Sequence, residues 1–449
     1  MLAYAWAHIP LESGWRAPAR PLLLLVALAL AIRVVFLVLL PAPDVNAETE
    51  LSTEAEQVFD LFSQGITNER LINRAGDVRF DTASFEITAD LVLDGKDVYA
   101  ETTRHPYLPF HMYWFALSAK LDDWFGVDFS SSMRWPNILA DLGILALIYV
   151  GSIKLGRSLS EAFWLGFLWA VHPISVFTSV LHGQFDSVAA FLALLAWYIL
   201  RFTPGWRGAL LGGMALGFAV LDKTWPALFI PCFFMIPAGW RHRTLYLGAI
   251  AVVPAFFFLL YDLSFGTSVN LVRDRVFEYE SILGRYGYTY AFAHYLKDIA
   301  PPPADWLPFV AAHGRTILLA TLAIVAAIVV PRRDPLVSAT ALIATFYAAT
   351  HGFGSQYLIW IVPFALMSRQ IFMLNLYSSA AIASLFLYYW AACGLQCPGH
   401  LSETREFWPL QLVWPVAIFW MFREVLLAIP FRPAFASPQR GPHGPTAAE

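Results

Sequence analysis

Charge is what this sequence has least of. Asp, Glu, Lys and Arg make up only 14% of its 449 residues, where soluble domains carry about 25%, and the shortage excludes an ordinary water-facing surface. Three cysteines exclude a disulfide scaffold and a cysteine-rich zinc module. A basic excess is missing too: 29 Lys and Arg against 33 Asp and Glu leave a formal net charge of −4, which excludes a nucleic-acid binder working by bulk basicity. No phosphate-binding glycine loop, no His-x-x-x-His pair on a helix and no Ser-His-Asp arrangement is found. What the chain does have is 58% hydrophobic and 16% aromatic residues. A chain of this composition must be solvated mostly by lipid.

A bilayer core about 30 Å thick takes roughly 20 apolar residues per helix. Residues 21–40 form the first such run; Arg16 and Arg20 precede it, and it is too long for a signal-peptide core, so it reads as a retained signal anchor. Further runs lie near 135–153, 162–180, 187–200, 208–221, 225–239, 244–263, 315–331, 335–350, 357–368, 372–392 and 408–429. They predict an all-α polytopic membrane helical bundle of about twelve transmembrane helices. Basic residues fall in alternate short loops: Arg16 and Arg20, Lys154 and Arg157, Arg201 and Arg207, Arg241 and Arg243, Arg332 and Arg333, Arg369, Arg432 and Arg440. The turns on the other side carry little beyond Lys223 and Arg405, so the N-terminus is expected on the cytoplasmic side. Long extracytoplasmic loops then follow helix 1, near 41–133, and helix 7, near 264–313. Within the first, residues 108–125 read as an interfacial or re-entrant helix. Residues 1–431 form one transmembrane domain, and the Pro- and Gly-rich polar residues 432–449 read as a disordered cytoplasmic tail.

An ionisable side chain at membrane depth is costly unless it is paired or wet, so each one is a candidate for function. Asp81 precedes Phe85, Ala89 and Leu93 at helical spacing. Taken alone it suits first a helix N-cap, worth about 1 kcal/mol, and second a general base for an attacking hydroxyl. His105 and Tyr107 follow in the same loop. His182, Gln184 and Asp186 surround Gly183 at the outer end of the third run, where Asp186 and Ser187 could simply cap the next helix. Asp222 and Lys223 could neutralise each other, or Lys223 could offer a cation to a phosphate. The second outer loop holds Arg273, Arg275, Arg285 and His294 among tyrosines; these suit a phosphorylated or sugar-bearing ligand, or a plain membrane interface. His351, Gln356 and Tyr357 close the ninth run on the same side. Arg33 and Asp141 lie deeper and are expected to pair. Cys393 and Cys397 flank a turn where a disulfide could form, and Cys232 reads as a packing residue.

The order of these features resembles the C-type superfamily of integral-membrane glycosyltransferases, which use polyprenyl-phosphate sugars. The resemblance is carried by residues 81–99 (DTASFEITADLVLDGKDVY) with His105-Pro106-Tyr107-Leu108-Pro109, by Asn137 to Asp141, and by Gly183-Gln184-Phe185-Asp186-Ser187. Gly212 to Gly217 with Lys223-Thr224-Trp225-Pro226, and Gln356-Tyr357-Leu358-Ile359-Trp360, complete it. It covers roughly residues 20–370, and the chain is similar to bacterial polyprenol-dependent mannosyltransferases and more loosely to dolichyl-phosphate-glucose glucosyltransferases. Where that family has Tyr-Pro-Pro-Leu, this chain has His105-Pro106-Tyr107-Leu108-Pro109.

The resemblance implies an extracytoplasmic active site in which Asp81 is the base, with no metal and no cofactor. Substrate binding would fall to His105, Tyr107, His182, Gln184, Asp186, Lys223, Arg285, His351, Gln356 and Tyr357, with Lys223 at the donor phosphate. The partners implied are a polyprenyl-phosphate sugar donor, a glycan or lipid-linked acceptor, and membrane lipid. The competing reading is a secondary transporter or lipid flippase, for which two related halves are expected and none is evident.

Overall fold

The computed structural model describes residues 16–39, 78–277, 286–291, 306–392 and 409–429. Arg285, His294, Cys393, Cys397, the early part of the first loop and the 432–449 tail lie outside the described residues. Every regular element among the described residues is a helix, with no β-strand. Five helices are long and apolar enough to cross a membrane: Pro18–Val38, Phe129–Lys154, Trp240–Phe265, Ala312–Val329 and Pro409–Ala428. Leu159–Ala170 and Pro173–Leu181 make a sixth if the pair, bent by 41°, counts as one span.

The other apolar runs take shorter forms, among them Trp225–Phe234, Pro335–Ala349, Ser355–Met367 and Ile371–Leu387. The count of about twelve full spans therefore does not carry over to the described helices as it stands. Proline accounts for much of this. Pro173, Pro226 and Pro363 each lack an N–H and clash with a preceding turn, so each sits at the start of a new helical piece. The Pro335–Ala349 helix is buried along most of its length. A helix enclosed by protein is not bound by the bilayer thickness that sets the length of a lipid-facing one.

Small residues set the closest helix contacts. Gly213 and Gly217 lie against Tyr246 and Ile250 of the Trp240–Phe265 helix, where an added Cβ would sit 2.6 and 2.9 Å from backbone oxygens. Close approach of this kind is how helices associate in lipid, where burial of apolar area gives little drive. Off the bundle's end, the Val78–Leu93 and His111–Phe125 helices pack on each other, with Phe85 stacked on Phe115 at 4.4 Å. The second of these is 15 residues long and ends at Gly126 in the left-handed region.

The first helix, Arg16–Leu39, is tied in by one buried network. Arg33 Nε donates to Asp141 Oδ2 at 2.8 Å, and Arg33 Nη2 donates to Ser175 Oγ at 2.7 Å. Ser175 Oγ in turn donates to Asp141 Oδ2 at 2.7 Å, and Arg33 Nη1 reaches the carbonyls of Ala29 and Ala170. Both charged side chains are fully buried, as their place in the apolar runs suggests. Asp141→Leu alone would strand the guanidinium and is expected to cost about 3–5 kcal/mol, read as a drop in thermal unfolding temperature in detergent. The double variant Arg33→Leu with Asp141→Leu is expected to recover most of that loss. A single variant as stable as the native protein would contradict the assignment.

Candidate active site

The polar residues at one end of the bundle are brought together by a break in a helix. After Pro173–Val176 the chain runs through a π-helical turn, Phe177–Leu181, whose wider ring re-aims the residues that follow. His182 N–H donates to Phe177 O, and Gln184 N–H donates to Thr178 O. Between them Gly183 has φ +75°, and a Cβ there would lie 2.5 Å from Met133 Cε. Asn137 Nδ2 donates to Gly183 O at 3.1 Å and fixes the turn from the neighbouring helix. Glycine satisfies both the left-handed backbone and the lack of space.

The turn points two donors at one carboxylate. His182 Nε2 and Gln184 Nε2 each donate to Asp81 Oδ2 at 2.6 Å. Asp81 sits in the first turn of the Val78–Leu93 helix. Its side chain is 28% exposed, against 3% for His182, so the carboxylate is held from inside and meets water outside. Among the described residues, both bonds arrive at Oδ2.

Behind Gln184 lies a buried ion pair. Lys223 Nζ donates to Asp186 Oδ2 at 2.6 Å and to Gln184 Oε1 at 3.0 Å. The ammonium also lies 4.3 Å from the Phe185 ring centroid and 4.9 Å from that of Tyr107. Trp360 Nε1 donates to the second Asp186 oxygen at 2.6 Å. Trp360 stacks on Trp225 at 4.5 Å and adjoins Tyr357 at 4.4 Å. A second acid–imidazole pair flanks this one: His111 Nδ1 meets Asp222 Oδ1 at 2.7 Å, and the His111 ring stacks on Phe185 at 4.0 Å.

These contacts change three expectations. Asp186 is the first residue of its helix, with Phe185 at the N-cap, and its carboxylate faces Lys223 and Trp360 rather than backbone amides. Asp222 and Lys223 take different hydrogen-bonded partners, His111 and Asp186, because Asp222 closes a helix while Lys223 is its extended C-cap, φ −143° and ψ 143°, although the Lys223 charge still acts on Asp222. Lys223 is paired, its charge met by Asp186.

Asp81, Tyr107, His182, Gln184, Asp186 and Lys223 thus form one cluster, with Tyr357 joined to it through Trp360. His105 stands behind Tyr107, edge-on at 5.4 Å. His351 leans on Gly314, and Gln356 folds over Gly354. Burial, together with the charge of Arg315, holds the His351 imidazole below its ordinary range. Sequence reasoning did not single out as site features His111, its pairing with Asp222, or a role for Trp360 beyond its place in the Gln356–Trp360 run. His111 and Asp222 were detectable by the rule used for the others, being ionisable residues in apolar surroundings; nothing in the sequence marked Trp360 as a carboxylate's partner.

His105 carries a pH signature. It is 2% exposed, and burial, with the nearby His111, pushes it down from 6.5 to about 3. Below pH 6.5 the unfolded chain takes a proton at this position that the folded one refuses. The contribution to stability is therefore full above about pH 6.5 and lost as pH falls toward about 3. Thermal unfolding of His105→Phe is expected to depend less on pH across that window than the native protein. Parallel curves would contradict it.

None of the curated proteins compared with this chain matches it. A sequence model of glycosyltransferase family 87 matches residues 107–350, just over half of the chain. The matched stretch holds Tyr107, His182, Gln184, Asp186 and Lys223, while Asp81 precedes it. Taken with its membrane-length helices, the match means that the chain belongs to glycosyltransferase family 87, a C-type, polyprenol-dependent family of membrane glycosyltransferases.

Proposed function

We propose that the protein transfers a hexose, mannose or glucose, from a polyprenyl-phosphate donor to a lipid-linked or cell-envelope glycan acceptor, with inversion at the anomeric carbon. The observation that carries this reading is the Asp81 carboxylate, gripped at Oδ2 by two buried donors and open to water. In the transfer the acceptor hydroxyl oxygen bonds to the anomeric carbon as the bond from that carbon to the phosphate oxygen breaks. The hydroxyl proton passes to Asp81 Oδ1, and the phosphate leaves with the electron pair on its oxygen. His182 and Gln184 keep the carboxylate from rotating away during attack.

The leaving phosphate needs positive charge, and Lys223 is already paired. Arg315 is the better place for it, with the uncharged His351 beside it as a hydrogen-bonding group, since the loop that holds His351 leads directly into Trp360 and the cluster. The sorting of basic residues supports catalysis on the extracytoplasmic face. Lys154 ends, and Arg157 follows, a helix whose opposite end carries Asn137, which holds the Gly183 turn, so these cations lie about 25 Å from Asn137.

The test is transfer of radiolabelled mannose or glucose from polyprenyl phosphate in membranes containing the full chain. Asp81→Asn, which keeps the shape of the side chain, is expected to lower the rate by about a hundred- to ten-thousand-fold while polyprenyl-phosphate binding persists. Transfer at the native rate would remove Asp81 as the base.

A further inference from the structure

The deepest part of the cluster has no role in the transfer as described. Lys223, 5% exposed, and Asp186, fully buried, form an ion pair that lies behind Gln184 from Asp81. We infer that Lys223 and Asp186 are positioning residues that act on Asp81 through the side-chain amide of Gln184. The inference rests on the reading of Asp81 as the base.

The argument is one of donors and acceptors. A primary amide has one end that accepts and one that donates, and the two are told apart by what they face. Gln184 lies between a carboxylate that can only accept and an ammonium that can only donate. Lys223 Nζ at 3.0 Å therefore fixes Oε1 on its own side, and Nε2 must face Asp81, which it meets at 2.6 Å. Turned over, the amide would set oxygen against the Asp81 carboxylate and NH2 against the ammonium, losing both bonds. Lys223 thus decides which end of Gln184 reaches the base.

Lys223 is itself held from the far side. Asp186 Oδ2 accepts from it at 2.6 Å, and Asp186 is fixed in turn by Trp360 Nε1 at 2.6 Å. The aromatic faces of Phe185 and Tyr107 bound the ammonium on other sides and contribute cation–π attraction. A run of oriented polar contacts therefore leads from Trp360 through Asp186, Lys223 and Gln184 to Asp81 Oδ2. His182 reaches the same oxygen from the other arm of the turn. Contacts of this kind couple when they share a member.

A double-mutant cycle on the full-length protein in detergent tests this, with polyprenyl-phosphate mannose and polyprenyl-phosphate glucose as donor probes and polyprenyl phosphate as the binding probe. Gln184→Met and Lys223→Met are each expected to lower kcat about tenfold or more, with polyprenyl-phosphate affinity unchanged. Their combination is expected to be no slower than Gln184→Met alone. Lys223→Arg, which keeps a donor toward Oε1, is expected to restore part of the rate. Because Lys223→Met strands a buried carboxylate, the cycle is repeated with Lys223→Met and Asp186→Asn together, which removes both charges, and the same non-additivity is expected. Additive losses in both cycles would overturn the relay, as would weaker polyprenyl-phosphate binding in the Lys223 variants, which would mean direct contact with the phosphate. Asp81→Asn is measured alongside. If it keeps the native rate, the reading of Asp81 as base fails; if it is inactive while the cycles are additive, only the relay fails.

Discussion

The end of the bundle that carries the cluster is organised by the cost of burying one ammonium. Lys223 is nearly sealed from solvent and Asp186 completely so, and two ions taken out of water lose several kcal/mol of hydration each unless their contacts are nearly ideal. That demand accounts for what surrounds them. Asp186 has both oxygens engaged, Lys223 has two oxygen acceptors and two aromatic faces, and the amide between Lys223 and Asp81 can take one orientation only. The left-handed turn at Gly183 and the π-helical turn before it are what place His182, Gln184 and Asp186 close enough to meet that demand.

The reach of the sequence is clearest in particular residues. The sorting of basic loops put Asp81, His182, Gln184, Asp186 and Lys223 on one side, and the structure gathers these five into one cluster. Arg33 and Asp141 could be paired on energetic grounds alone, since each was too costly to leave single. What could not be read was partnership among several charges of similar sequence distance. Asp222 and Lys223 are neighbours in the chain, yet the helix ends between them and they turn to different partners. Trp360 joins Asp186 through a fold that brings together residues 174 positions apart, and no local pattern encodes that. The helix count was obscured for a related reason. Hydropathy registers apolar runs, but proline breaks and burial by neighbours decide which runs become full spans.

The two ends of the molecule use their charges differently. At the end away from Asp81, Arg157 lies near Glu161, Arg369 pairs with Glu161 at 2.8 Å, and Arg333 and Arg423 both pair with the buried Glu424. These carboxylates are each met by arginines, whereas the donors on Asp81 are a histidine and an amide. The proposed role of Asp81 as base rests on that setting.

The account turns on where the sugar of the donor lies, and a structure of the protein with a bound polyprenyl-phosphate hexose measures that directly. The anomeric carbon is predicted to lie beside Asp81, on the Oδ1 side, with room for an acceptor hydroxyl between them. A headgroup bound at the opposite end, among Arg157, Glu161 and Arg369, would contradict it.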